Sequence, residues 1–217
     1  MQIKANASVV GADGKGFGHV RRVVIDPHNG EIRDIVVRQG VLLTEDRVVP
    51  IGTVADTSGE QVRLKISSND ADKLAIFEET FYVPLNGEGE ELPPGAFAPT
   101  YYWYPPLMGY EPASYAGAVP PELLGYELRK ERHIPLNTVA LKEGATVKSR
   151  DDHEVGKLEQ VLTAPGSDQA THLVVAEGLL HKTHKVIPLD WVDRIEEDHV
   201  YLAVPAQVVE NLPVYEH

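Results

Sequence analysis

The chain is written twice. Shifted by 138 positions, "SVVGADGKGFGHVRRVVIDPHNGEIRDIVVRQGVLLTEDRVVPIGTV" falls without a gap on "TVKSRDDHEVGKLEQVLTAPGSDQATHLVVAEGLLHKTHKVIPLDWV". Identities include Val9/Val147, Asp13/Asp151, Gly18/Gly156, Val23/Val161, Pro27/Pro165, Val36/Val174, Gly40/Gly178, Val48/Val186 and Pro50/Pro188. The register runs on through Val62/Val200 and Leu64/Leu202 to Leu74/Leu212 and Phe77/Tyr215. Matches concentrate at apolar, Gly and Pro positions, which is what two copies of one core retain. The sequence therefore divides into a repeat over 3–79, a connector over 80–140 and a second repeat over 141–217.

The repeat also supplies a control for its own most suggestive motif. "ADGKGFGHV" (12–20) spaces its glycines as phosphate-binding loops do, but in the second copy it becomes "RDDHEVGKL". Gly14 and Gly16 are replaced there by Asp152 and Glu154, and only Gly18, matched by Gly156, survives. A phosphate cradle needs its early glycines and a helix N-terminus behind them. Here "HVRRVVID" follows, a β-branched run that reads as a strand. The loop is predicted to be a hairpin turn, with Gly18 and Gly156 at a bulge or a positive φ.

Each copy then reads as a short strand near Val9, strands over Val20–Ile25 and Ile32–Val37, a fourth stopping near Pro50, and a fifth at "QVRLKI". Gly40/Gly178 and Pro50/Pro188 mark the structural turns. "NDADKLAIFEE" and "PAQVVENLPVYEH" predict a short C-terminal helix in each copy. Short strands broken by turns predict a mainly β fold of two small antiparallel barrels. Each copy is near the minimum size for an independent core, so the two are expected to pack together.

The pattern "V.....G.....G.V..V..D...G.I..IVV..G" from Val9 to Gly40, with "VVPI" at 48–51 and "VIPL" at 186–189, resembles the PRC-barrel domain family. That family includes the cytoplasmic barrel of the photosynthetic reaction centre H subunit and the C-terminal domain of ribosome maturation factor RimM. The resemblance covers residues 3–79 and 141–217 and implies the fold, not a chemistry. By analogy with RimM it would imply work on RNA or the ribosome.

The formal net charge of −13 weighs against that analogy, because a phosphate-backbone binder needs a basic face. The charge is uneven, at −2 over residues 1–79, −4 over 80–140 and −7 over 141–217. A local basic patch is conceivable only at Arg21, Arg22, Arg33, Arg38 and Arg47, which read as the solvated face of a sheet. There are no cysteines, which fits the cytoplasm and excludes thiolate metal sites and thiol catalysis. No stretch reaches the roughly 20 apolar residues of a membrane span, and the N-terminus has no secretory h-region.

Residues 80–134 hold seven of the nine Tyr, Trp103 and nine of the sixteen Pro. Prolines at 93, 94, 99, 105, 106, 120 and 121 predict an irregular segment over most of it. Two readings stand for "YYWYPP" and Tyr110: they pack back on the barrels, or Tyr101, Tyr102, Trp103, Tyr104 and Tyr110 dock a protein partner. The histidines, among them His172, His181, His184 and His199, read as exposed loop residues rather than metal ligands. Paired acids such as Glu196–Glu197–Asp198 read as solvated loop charges. No nucleophile elbow is present. Asp13/Asp151 is the one polar pair expected to recur, capping the first turn.

The chain is therefore expected to be a cytoplasmic, non-catalytic binding or scaffolding protein without cofactor or metal, engaging a protein partner rather than nucleic acid. The alternative is a small-ligand or metal site between the barrels. Two barrels in one chain either replace a homodimer or present edges that make a homo-oligomer.

Overall fold

Alternating β-branched residues and glycine-marked turns build a mainly β protein of curled sheets. The computed structural model describes residues 1–40, 44–58, 60–85, 91, 126–178 and 182–215. The first copy contributes strands β1 (Gln2–Lys4), β2 (Ser8–Val10), β3 (Gly16–Ile25), β4 (Ile32–Gln39), β5 (Glu45–Pro50), β6 (Val54–Ser58) and β7 (Gln61–Leu64). β8 (Glu78–Pro84) and β9 (Tyr126–Arg132) follow. The second copy gives β10 (Val139–Lys142), β11 (Thr146–Lys148), β12 (Glu154–Thr163), β13 (Ala170–Glu177), β14 (Thr183–Pro188), β15 (Val192–Ile195), β16 (His199–Leu202) and helix α1 (Ala206–Glu210).

The main strands of the first sheet run β5-β4-β3-β2-β7-β6, and those of the second run β14-β13-β12-β11-β16-β15. The two orders are the same under the 138-residue shift. In each sheet one pair is parallel, β2 with β7 and β11 with β16.

The seventh strand of each sheet comes from the other copy. β1 pairs with β12, Ile3 opposite Val161, and β10 pairs with β3, Leu141 opposite Val23. The reason lies in strand lengths. β3 and β12 each have ten residues, whereas their own-copy neighbours β2 and β11 have three. Half of each long edge would be left with unpaired N–H and C=O groups, and the other copy's strand covers it.

The exchange is two-fold symmetric. Ala5 N donates to Glu159 O at 2.7 Å, and its counterpart Glu143 N donates to Arg21 O at 3.0 Å. On the dyad itself Glu31 bridges its own counterpart Gln169. There Ile32 N donates to Asp168 O and Ala170 N to Gly30 O, both at 2.9 Å. One apolar cluster accordingly runs through both copies and includes Ile3, Val23, Ile35 and Leu141 with Val147, Val161 and Leu173. Met1–Phe77 with His133–His217 form a single compact unit, and Glu78–Arg132 form a second.

The first tight turn is set by backbone more than by residue type. Gly14 has φ +74° and its replacement Asp152 adopts φ +61°. Gly18 and Gly156 lie at φ +150° and +141°, beside register shifts in β2/β3 and β11/β12. A Cβ at Gly18 would stand 2.2 Å from the Arg38 carbonyl oxygen, and one at Gly156 2.5 Å from that of Ala176.

Several local expectations need correction. Gly18 and Gly156 take the bulge and the positive φ expected of them, inside β3 and β12 rather than in the turn itself. Gly40 and Gly178 mark strand ends, as expected. Each is the single residue that follows its strand, β4 or β13, and it leaves the ladder in left-handed backbone at φ +82° and +95°. Glycine stands there because a side chain does not readily take that φ. Residues 41–43 and 179–181, which follow, lie outside the described residues. Pro50 and Pro188 are the last residues of β5 and β14, and the 3-10 turns begin one residue later, at Ile51–Thr53 and Leu189–Trp191.

The first copy's helical tail is only a 3-10 helix over Ser68–Lys73, capped by Ser67 rather than by Asn69 or Asp70. Beyond it the chain extends, because Val48 N bonds Ala75 O and Phe77 N bonds Asp46 O along the β5 edge. The ends of the 80–140 connector are also regular. Glu78–Pro84 pairs antiparallel with Tyr126–Arg132 over seven residues. The intervening prolines fall outside the described residues.

Candidate functional site

Five arginines of the first copy, Arg21, Arg22, Arg33, Arg38 and Arg47, are committed to carboxylates within the chain. Arg21 pairs with Glu143 and Arg22 with Glu197, both acids of the second copy. Arg33 pairs with Glu31, and Arg38 makes a two-pronged bond to Asp46 at 2.7 and 2.9 Å. Arg47 pairs with Glu45 and donates to Leu74 O. Arg22 also lies over the Phe77 ring, 5.0 Å from its centroid. The solvated-face reading of these arginines is thus wrong for Arg22 and Arg47, whose side chains are 16% and 12% exposed, and the solvated-loop reading is wrong for Glu197, at 27%. An acid spent in this way neutralises the cation that a phosphate would otherwise meet.

A second polar constellation recurs in both copies, and it frames the C-terminal helical turn. The Asp13 carboxylate accepts from the Ser68 hydroxyl at 2.7 Å and from the Ser68 amide at 3.3 Å. Asp151 accepts from the Ala206 amide at 3.0 Å, the matching position. Hydrogen bonding, led by the Ser68 hydroxyl, holds Asp13 down to about 2. Bonding led by Ser149 and then the Ala206 amide holds Asp151 down to about 2 as well.

At the other end of the turn, the Arg47 guanidinium donates to Leu74 O at 2.7 Å. Its counterpart, the buried Lys185, donates from Nζ to Val209 O at 3.0 Å and to Glu210 O. Acid at the N-end and base at the C-end match the helix dipole. The sequence reading found Asp13/Asp151 but placed it on the first turn alone. It missed Arg47/Lys185, whose signal was a cation kept at one register under a changed residue type.

The described histidines are not brought together, and His172, His184 and His199 lie in strands β13, β14 and β16 rather than in exposed loops. His28 lies on Asp26, His153 on Asp151 and His184 on Glu159. His172 sits beside Thr171, and His199 stacks on Tyr201. No group of three His, Asp or Glu able to hold a metal occurs among the described residues, and His181 lies outside them. Burial is the largest influence on Glu159 and pushes its carboxyl up. The Lys182 ammonium and His184 outweigh it, and the group lies below its ordinary value.

Two concavities stand out among the described residues. One, at the dyad, is lined by Ile3, Val20, Arg21 and Leu141 with Leu158 and Glu159, and its 20 Å³ is room for about one water. The other is an open groove in the second copy with Asp151, His153, Glu154, Glu177 and Glu210 on its walls.

The unit Glu78–Arg132 is, in its described part, a two-stranded ribbon. Phe81 lies under Arg129 at 6.0 Å, and Glu78 receives both Lys130 and Arg132. Leu128 and Leu85 are 47% and 58% exposed. The aromatic residues Tyr101, Tyr102, Trp103, Tyr104 and Tyr110 lie outside the described residues. No described helix is long and apolar enough to cross a membrane. No family model matches the chain, and no curated protein matches it.

Proposed function

We propose that this is a cytoplasmic, non-catalytic binding module of PRC-barrel type, a duplicated β scaffold that offers residues 78–132 to a protein partner. The observation that carries this reading is the ribbon β8–β9, which forms a unit distinct from the duplicated core. Two strands alone bury too little to stabilise themselves. This ribbon leaves Leu85 and Leu128 in solvent and brackets the Tyr- and Pro-rich run. Tyr and Trp bury large areas at low entropic cost, and a ribbon edge accepts an added strand. The recurring polar groups fasten the fold, which supports a scaffold rather than a reaction centre.

The test is affinity capture from native lysate with the intact chain and with a variant carrying Tyr101→Ser, Tyr102→Ser, Trp103→Ser and Tyr104→Ser. A protein held by the first and lost by the second, at equal thermal stability, supports the reading. Equal capture by both, or capture by neither, overturns it.

A further inference from the structure

Asp34 is the one buried acid among the described residues, 7% exposed, and its Oδ2 has no hydrogen-bond partner. It stands on the outer face of the first sheet, between Val24 of β3 and Pro50 of β5. Val24 belongs to a second apolar cluster, separate from the main core, with Val36, Val48, Phe77 and Ala140, against which Ile134 packs.

Phe77 and Ile134 flank the points where the chain leaves and rejoins this sheet. The closure there is specific. Val48 N donates to Ala75 O at 2.9 Å, Phe77 N to Asp46 O at 2.7 Å and His133 N to Phe77 O at 3.0 Å. His133 Nδ1 lies 2.9 Å from Ile76 O. The second copy has the half-buried His172 at the position of Asp34, so the fold itself does not require a carboxylate there.

The neighbouring charges are engaged elsewhere. On β3, Arg22 is held by Glu197 and Phe77, and Asp26, just past its end, accepts from His28. On β10, Lys142 pairs with Asp198. On this face β5 places Asp46, Val48 and Pro50, and Asp46 is held by Arg38 of β4 at 2.7 and 2.9 Å. Arg33, next along β4, pairs with Glu31. Burial raises the Asp34 carboxyl, and the attraction of Arg33 offsets this only in part.

We propose that Asp34 is a pH-sensitive latch: uncharged, it lets residues 75–77 and 133–134 close on the outer face, and its ionisation loosens them. A group whose closed-state pKa is raised favours closure below its open-state value. That contribution is lost as pH rises from there to the closed-state value. The latch stands on this face alone.

The experiment is amide hydrogen exchange on the full chain between pH 4.5 and 8, corrected for intrinsic rates and read at Val48, Phe77 and His133. In the unaltered protein the local opening constant is expected to rise by up to about tenfold per pH unit and then level off. Asp34→Asn should flatten that rise, leaving only what His133 contributes. Asp34→His should reverse it, since the imidazolium forms at low pH. A profile in either variant that matches the unaltered protein overturns the latch. No partner is present in this measurement, so its outcome is separate from that of the capture experiment.

Discussion

Ile3→Ala tests whether the exchanged strand holds the two copies together. Ile3 is 2% exposed, in a three-residue strand whose ladder lies wholly against the second copy. Truncating a buried Ile to Ala costs about 2–5 kcal/mol, the transfer of the lost carbons plus the cavity left behind. β1 is short and terminal, so its slot can partly collapse, and we expect about 3 kcal/mol. With a urea dependence near 2 kcal/mol per molar, the midpoint falls by about 1.5 M with little change in slope. The assay is urea unfolding in a Trp103→Phe background, followed by far-ultraviolet circular dichroism and by tryptophan fluorescence. Trp191, in the second copy, packs on the common core. It should therefore report a lesion made in the first copy, and Leu141→Ala should give the mirror result. A loss under about 1 kcal/mol, or separate transitions by the two probes, would refute the single exchanged core.

Three further outcomes are expected. Gly18→Ala and Gly156→Ala should each lose about 1–3 kcal/mol in thermal melts, through strain at positive φ and collision with a carbonyl. Gly16→Ala, with nothing within 4 Å of its Cβ, should stay within about 0.5 kcal/mol. Acid unfolding should draw on Asp13 and Asp151, held near 2 against an ordinary 3.8. Their contribution is complete above about pH 4 and disappears as pH falls toward 2. An Asp13→Asn, Asp151→Asn variant with an acid limb as steep as the parent's by near-ultraviolet circular dichroism would contradict this. A double-mutant cycle of Arg22→Ala and Glu197→Ala should give a coupling of about 1 kcal/mol, the upper end for exposed pairs; a coupling of zero removes that contact from the seam.

The duplication was legible because the positions that cannot change are the ones that align. Gly18 and Gly156 are retained where a Cβ would strike a carbonyl, whereas Gly14 gives way to Asp152, which tolerates the same left-handed turn. The strands that stop at Pro50 and Pro188, and those that stop just before Gly40 and Gly178, were legible for similar local reasons. β1 and β10 were not. Three or four residues show no period, and their partners lie more than a hundred residues away. The same distance hid the pairing of Arg21 and Arg22 with acids of the second copy, so both read as ordinary strand exteriors. The 3-10 helix ended early because Leu74–Phe77 were drawn out along β5, a tertiary demand that helix propensity does not record. The ribbon ends were obscured by the prolines between them.

The charges along the seam say which pairing of copies the sequence favours. Under the 138-residue shift Arg21 corresponds to Glu159, Glu143 to Ala5, and Glu197 to Gly59. Two first copies brought together in this geometry would place Arg21 against Ala5 and Arg22 against Gly59, and both guanidinium partners would be lost. Two second copies would bring Glu143 beside Glu159 with no arginine between them. Only the unlike pair supplies Arg21 with Glu143 and Arg22 with Glu197. Such pairs contribute modestly to stability, but like charges and unpaired cations in the alternatives are penalised, and specificity is that difference. The apolar core is common to both copies and would accept any combination. Divergence of the polar seam is what favours a first copy against a second copy over either copy against its own kind.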